Sequence, residues 1–275
     1  MKFIAKSEMG GEGVSDYITT ENLQLVIETN KRIKNEIEKE LLYLFKQFNI
    51  QKGIKSEEKL AFDILKQYGL IQLPIDNKYW SGAIFCRNEK KIPIINTALP
   101  RMNQFYTAWH EVYHLIYGKG SEHEVYEIST ELSLDERRAD YFAAKALMGN
   151  VYNYYMELKG EDFLENIAYC MDLYQVPFKA ILIQLYEDAQ QYKNSDLADK
   201  IIEYMDIQNI DWVSIFDRLG LDKQLVTASY VVNFGLLEDN IRDKMLTEPE
   251  VSAHEMNMKF LADLKAEIKK INKNG

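Results

Sequence analysis

The sequence predicts an α+β protein, mostly helical, in which a small β-sheet lies next to one central helix and further helices are added at the N- and C-terminal ends. Three observations carry this. Apolar residues recur at i, i+3, i+4 and i+7 over most of the chain, the spacing of amphipathic helices. Two short β-like runs, Ala83-Ile84-Phe85-Cys86 and Ile92-Pro93-Ile94-Ile95-Asn96, are separated by a charged turn at 87–91, the pattern of a hairpin or small meander. The 275 residues include only 13 Gly and 5 Pro, with 47% hydrophobic and 28% charged residues, an ordinary globular composition with ample core. The pattern divides the chain into an N-terminal helical region at 1–69, a core at 70–190 and a C-terminal helical region at 191–275.

Residues 1–20 carry Gly10, Gly11 and Gly13 among polar residues and read as a loose terminus or a turn after a short strand. Thr20 or Asn22 is placed to cap a helix over about 21–48, with Ile33, Ile37, Leu41, Leu44 and Phe45 on one face. Packing on its own domain is the ordinary reading of that face, and a coiled-coil seam the sharper one. A second helix over 56–68 starts at Ser56, has acidic residues in its first turn and stops at Gly69. No pair of short helices around a tight turn with basic recognition positions is visible, so a DNA-reading helix-turn-helix is not expected. In the strand pair, Pro93 lacks an N–H, which puts the second strand at a sheet edge or its start there. An edge strand beside a cleft can pair with an extended peptide.

Pro100 precedes the central helix, whose residues 107–118 read TAWHEVYHLIYG. Within it His110-Glu111-Val112-Tyr113-His114 is the H-E-x-x-H pattern of zinc hydrolases. Residues four apart stand nearly above one another on a helix, so both imidazoles can reach one metal ion. Glu111 lies about 100° round the helix from His110, close enough to act on a water at the metal without ligating it. Trp109, Val112, Tyr113 and Ile116 form an adjoining apolar stripe, and Gly118 stops the helix. The chain has four histidines, at 110, 114, 123 and 254, and two of them are here. Ordinary amphipathic helices also produce this pattern by chance, so a third ligand downstream decides its meaning.

Between 119 and 132 lies a polar, acidic connection with Glu122, His123, Glu124, Glu127 and Glu131. Ser133 then opens another helix, with Ala139, Phe142, Ala143, Ala146 and Leu147 on its apolar face and Gly149-Asn150 as its end. Two His plus one Glu with one open position is an established zinc set. Glu136, 22 residues beyond His114, fits as the anionic ligand. Asp140, four residues further on the same face, fits as acceptor from the far ring nitrogen of His110. A rival role for Glu136 is the capping box with Ser133, and Glu127 and Glu131 are rival ligands.

Further helices are expected at 161–174, at 177–191 with Pro177 at its start, and then at 197–205, 213–219, 224–234 and 252–271, with a linker at Asn194-Ser195. The net charge of −10 argues against broad electrostatic capture of nucleic acid. Cys86 and Cys170 are far apart and in no metal-ligand spacing, which reads as free thiols in a reducing compartment. No signal peptide or membrane span is visible, so a cytoplasmic location is expected and no membrane partner.

WHEVYH preceded by Ile-Pro-Ile-Ile-Asn at 92–96 and by Arg101 to Thr107, then Glu136-Arg137-Arg138-Ala139-Asp140-Tyr141-Phe142-Ala143 running on to Met148, resembles the ImmA/IrrE-type zinc metallopeptidases. In that family a strand ending in Asn leads through an Arg and a Phe-Thr pair into the H-E-x-x-H helix, and a later helix reads E-x-x-A-(N/D)-x-F-A before a Leu-Met-Pro-like ending. Here Tyr106 separates Phe105 from Thr107, Gly149 stands where Pro is usual, and bulky Tyr113 precedes the second histidine, where it would narrow the cleft. The resemblance spans about 70–148 and implies a zincin-like core with Zn2+ held by His110, His114 and Glu136 and with Glu111 as general base. It further implies a cytoplasmic endopeptidase of narrow specificity that cuts a helix-turn-helix repressor of a phage, mobile element or stress response. The alternative is a non-proteolytic or partner-activated regulatory binding module on the same fold. An intact Glu111 favours the enzyme, since a pure binder has no chemical need of a base. Tyr79, Tyr106 and His123 are candidates by chemistry for stabilising the oxyanion.

Overall fold

Helix α1 (Leu23–Gln47) turns the spacing of its apolar residues into a buried face of Leu23, Ile27, Ile37, Leu41 and Leu44. The computed structural model describes residues 18–48, 57–87, 90–118, 133–158, 160 and 162–271. The expected turn at Gly10–Gly13 and the helix start at Ser56 lie outside them. Asn22 is the N-cap of α1 but makes no side-chain cap bond, and Thr20 bonds Asp206 instead, hydroxyl to carboxylate at 2.6 Å. Helix α2 (Glu57–Gln67) runs to a turn at Gly69, whose φ of +81° is a conformation that favours glycine.

Strands β1 (Ile71–Leu73), β2 (Gly82–Arg87) and β3 (Lys90–Asn96) form a mixed sheet in the order β1-β3-β2, with β1 parallel and β2 antiparallel to β3. The edge position expected for the Pro93 strand is corrected: β3 is central. The ladder to β1 begins only at Ile94, so Pro93 meets a strand, at Ile84, on one side alone, which is locally the situation of an edge residue. Among the described residues the outer side of β2 pairs with no strand, whereas β1 is flanked by a bridge from Gln72 to Asn233. Asn96, fully buried at the end of β3, ties down the β1–β2 connection. Its amide donates to the carbonyls of Ile75, Asn77 and Trp80, and its Oδ1 accepts from the N–H groups of Ile75 and Ala98.

Helix α3 (Arg101–Ile116) packs on the sheet, on α2 and on α4 (Leu134–Leu147), which in turn packs on α1. Trp109 is at the centre, completely buried, with Phe45 edge-on at 6.2 Å and Phe142 at 6.1 Å. Arg138 of α4 pairs with Glu36 of α1 across the same contact. Helices α5 (Val151–Glu157), α6 (Phe163–Tyr174), α7 (Phe178–Tyr192), α8 (Ser195–Met205) and α9 (Trp212–Leu219) extend one apolar core, which runs from Leu23 to Leu225. In place of a linker at Asn194-Ser195, a tight turn at Lys193 and Asn194 leads straight into α8: Asn194 caps the helix by accepting from the Leu197 N–H, and α8 packs on α7.

The helix expected over 224–234 is corrected as well. The N–H groups of Leu225, Val226 and Thr227 close short turns, and the chain then runs extended along the sheet and α3. Its backbone groups bond distant partners, among them Tyr230 N–H to Thr97 O and a reciprocal pair between Gln72 and Asn233, so no i→i−4 ladder can form. Helices α10 (Leu237–Thr247) and α11 (Ala253–Ile271) follow, with Leu261 of α11 packed against Val232 and Phe234. Among the described residues no helix is long and apolar enough to cross a membrane.

Candidate metal centre

The N-terminus of α3 needs a cap that Pro100 cannot give. Carbonyl oxygens of the C-terminal segment supply it: Thr227 accepts from the Arg101 N–H and Leu225 from the Met102 N–H, both at 3.0 Å. Orphan donors of a helix end are thereby satisfied from outside the helix. With α3 fixed and its Trp109 stripe in the core, His110, Glu111 and His114 lie toward α4 and β2.

His110 Nε2 and His114 Nε2 stand 3.1 Å apart, and the Glu136 carboxylate reaches them at 3.1 and 3.3 Å. These three residues form a cluster able to hold a metal ion. Zinc bonds of about 2.0–2.2 Å in tetrahedral array separate their donors by about 3.3–3.6 Å, so the observed triangle is close to that size. The donor chemistry fits too. His110 Nδ1 lies 2.9 Å from Asp140 Oδ1, which holds a proton on Nδ1 and leaves Nε2 its lone pair.

The rivalry over Glu136 resolves through the two halves of the capping box. Ser133 Oγ accepts from the Glu136 N–H at 3.2 Å, while the Glu136 carboxylate is turned to the histidines. One residue's backbone starts the helix and its side chain completes the cluster. Glu122, His123, Glu124, Glu127 and Glu131 lie outside the described residues.

Electrostatics separate the acids. Burial pushes the Glu111 carboxyl up to about 7, against the pull of both histidines and with a push from Glu136. Burial also acts to raise Glu136, but hydrogen bonds to His110 and His114 outweigh it and hold it well below the usual range. Asp140 is likewise depressed: the Arg137 guanidinium and His110 overcome its burial. Burial works to lower the His110 imidazole, and its bonds to Asp140 and Glu136 raise it well above its ordinary value.

Three contributors were not singled out from sequence. Arg137, almost fully buried on α4, places Nη1 3.4 Å from Asp140 Oδ2. Asn96 holds the loop that leads into β2. Gly82 lies against the site itself: a Cβ there would fall 2.9 Å from Glu111 Oε1 and 2.6 Å from Thr107 Cγ2. A glycine at the start of a strand is the available signal for such a close approach.

Comparison with protein-family models, curated proteins and solved structures found no match.

The remaining expectations fall differently. Tyr106 donates its hydroxyl to the Asp140 backbone carbonyl at 2.7 Å, so it braces α3 against α4. Tyr79 is exposed. Tyr113 does not narrow the cleft: it is buried behind His114, its ring 5.5 Å from Phe142 and 5.7 Å from Tyr117. His254 pairs with Glu248 on the α10–α11 side.

Proposed function

We propose that this chain is a zinc-dependent endopeptidase of narrow specificity, with α3, α4 and the sheet as a zincin-like core, acting in the cytoplasm. The observation that carries the reading is the triangle of His110, His114 and Glu136 with the buried Glu111 carboxylate beside it, against the backbone of β2. When bound, zinc supplies a Lewis acid and makes water more acidic. Glu111, with a carboxyl that burial brings near neutrality, takes the proton from the attacking water and returns it to the leaving amine. Asp140 and Arg137 keep His110 in one tautomer and orientation. The outer side of β2 is the natural register for an extended substrate segment, whose backbone would pair with it while its scissile bond lies over Glu111. From the resemblance we infer that the substrate is a helix-turn-helix repressor, presented as a separate protein.

The test is metal analysis of the purified chain together with peptide-library cleavage read by mass spectrometry. One zinc per chain with cleavage is expected, Glu136→Ala losing both and Glu111→Gln keeping zinc but losing cleavage. Unchanged zinc in Glu136→Ala, or substantial cleavage by Glu111→Gln, refutes the assigned roles.

A further inference from the structure

Helix α3 borders a second constellation at its opposite end. A cavity of about 500 Å3 lies between α2, β1, the first turns of α3 and the extended segment near Ser229. Lys59, Lys66 and Arg101 line it, and Phe62 and Phe105 meet edge-on in its wall at 6.1 Å. Asp63, 3.5 Å from Lys66, is the acid among the described lining residues. Three cations against one acid leave a local excess of positive charge in a chain whose net charge is −10.

Arg101 makes the cavity more than a solvated patch. Its Nε is buried and, among the described residues, has no hydrogen-bond partner. A buried, unpaired guanidinium donor is costly unless a ligand or water satisfies it. Arg101 also belongs to the stretch leading into the H-E-x-x-H helix, and the metal chemistry makes no use of it.

We propose that this cavity binds a small phosphorylated ligand with a flat aromatic body, the size of a nucleoside monophosphate. A phosphate monoester carries about −1.5 to −2 charges at pH 7, matching the local excess better than a single carboxylate does. The planar Arg101 fork suits phosphate oxygens. The Phe62–Phe105 wall offers an aromatic surface for stacking. Ser229, whose hydroxyl donates to Gln104 at 2.9 Å, keeps its lone pairs for a ligand donor, and the Gln72 amide adds a donor and an acceptor. A nucleic-acid polymer is disfavoured by the chain's overall negative charge, whereas a single nucleotide meets chiefly the local excess of cations lining this open cavity. Occupancy would grip the first turns of the helix that carries His110 and His114.

Calorimetric titration of the full chain with AMP tests this, with adenosine and inorganic phosphate as separate arms. Saturable one-to-one AMP binding is expected, with each fragment weaker by about 10-fold or more. Lys59→Gln with Lys66→Gln, both at exposed positions, weakens AMP by about 10-fold without lowering the thermal midpoint. Arg101→Gln, its folding checked by circular dichroism, weakens it further. No saturable AMP binding, or unchanged affinity in the double-lysine variant, overturns the proposal. Phosphate binding as tightly as AMP overturns its aromatic half. The readout needs neither zinc nor cleavage, so it stands or falls apart from the endopeptidase reading.

Discussion

Asp140 faces two ways: Oδ1 lies 2.9 Å from His110 Nδ1, and Oδ2 lies 3.4 Å from Arg137 Nη1. One carboxylate thus couples a buried cation to the ring whose other nitrogen belongs to the candidate metal cluster. Asp140→Asn keeps the shape but lets the amide present either a donor or an acceptor to His110. Zinc affinity is expected to fall about 10–100-fold, measured by chelator competition, with the helical circular-dichroism signal retained. Unaltered affinity would show that the tautomer of His110 is set elsewhere.

Metal removal gives a second prediction. A ligand that binds only the folded chain at 100 times its Kd adds about 2.7 kcal/mol. For a chain of this size that corresponds to about 5–10 °C in thermal midpoint. EDTA is expected to lower the midpoint by that amount and added zinc to restore it, with no such response in Glu136→Ala.

Gly82 offers a third. Its added Cβ would crowd Thr107, Glu111 and the Ile94 carbonyl, the last at 3.0 Å. Gly82→Ala is expected to destabilise by about 1–3 kcal/mol and to slow cleavage while leaving zinc stoichiometry near one. Denaturant titration and metal analysis separate the two effects, and full activity in this variant would detach β2 from the chemistry.

Asn96→Ala removes a side chain that satisfies five backbone groups, four in the connection into β2 and the fifth the Ala98 N–H just after β3. Leaving buried donors and acceptors unpaired costs about 1–3 kcal/mol. A fall of that size in unfolding free energy is expected, together with faster hydrogen exchange across residues 75–81.

The two thiols differ by burial. Cys170 is completely enclosed and its thiol is pushed up to about 12, while Cys86 is half-buried. Alkylation at pH 8 is expected to modify Cys86 alone until the chain unfolds, when both react. Two equivalents taken up at the native rate would contradict the packing of α6.

The long helices were legible because their apolar spacing is itself the cause of their packing. The helix expected over 21–48 forms as Leu23–Gln47, and the stretch around Trp109 is buried as its pattern requires. Strand β1 escaped notice because three residues carry no period, and α10 because none of its residues is buried. The stretch 224–234 misled because its apolar residues were spaced like a helix, yet its hydrogen bonds belong to Thr97, Gln72 and the start of α3. In the site, His110, Glu111 and His114 follow from local helix geometry. Glu136 was legible only as one of several acids, because its contact with the histidines depends on how α4 crosses α3. Arg137 was hidden by the same dependence: a charged residue reads as exposed until a neighbouring helix covers it.

The extended C-terminal segment bears on the order in which the chain would acquire the proposed activity. Ser229 bonds Gln104 across 125 residues and Thr97 bonds Val231 across 134, and the cap on α3 comes from the same stretch. Contacts of such separation carry a large loop-closure cost and form late. A growing polypeptide can therefore present both histidines long before the helix bearing them is clamped. A shortened product ending before residue 225 would carry every proposed catalytic group and still lack the piece that holds them in register.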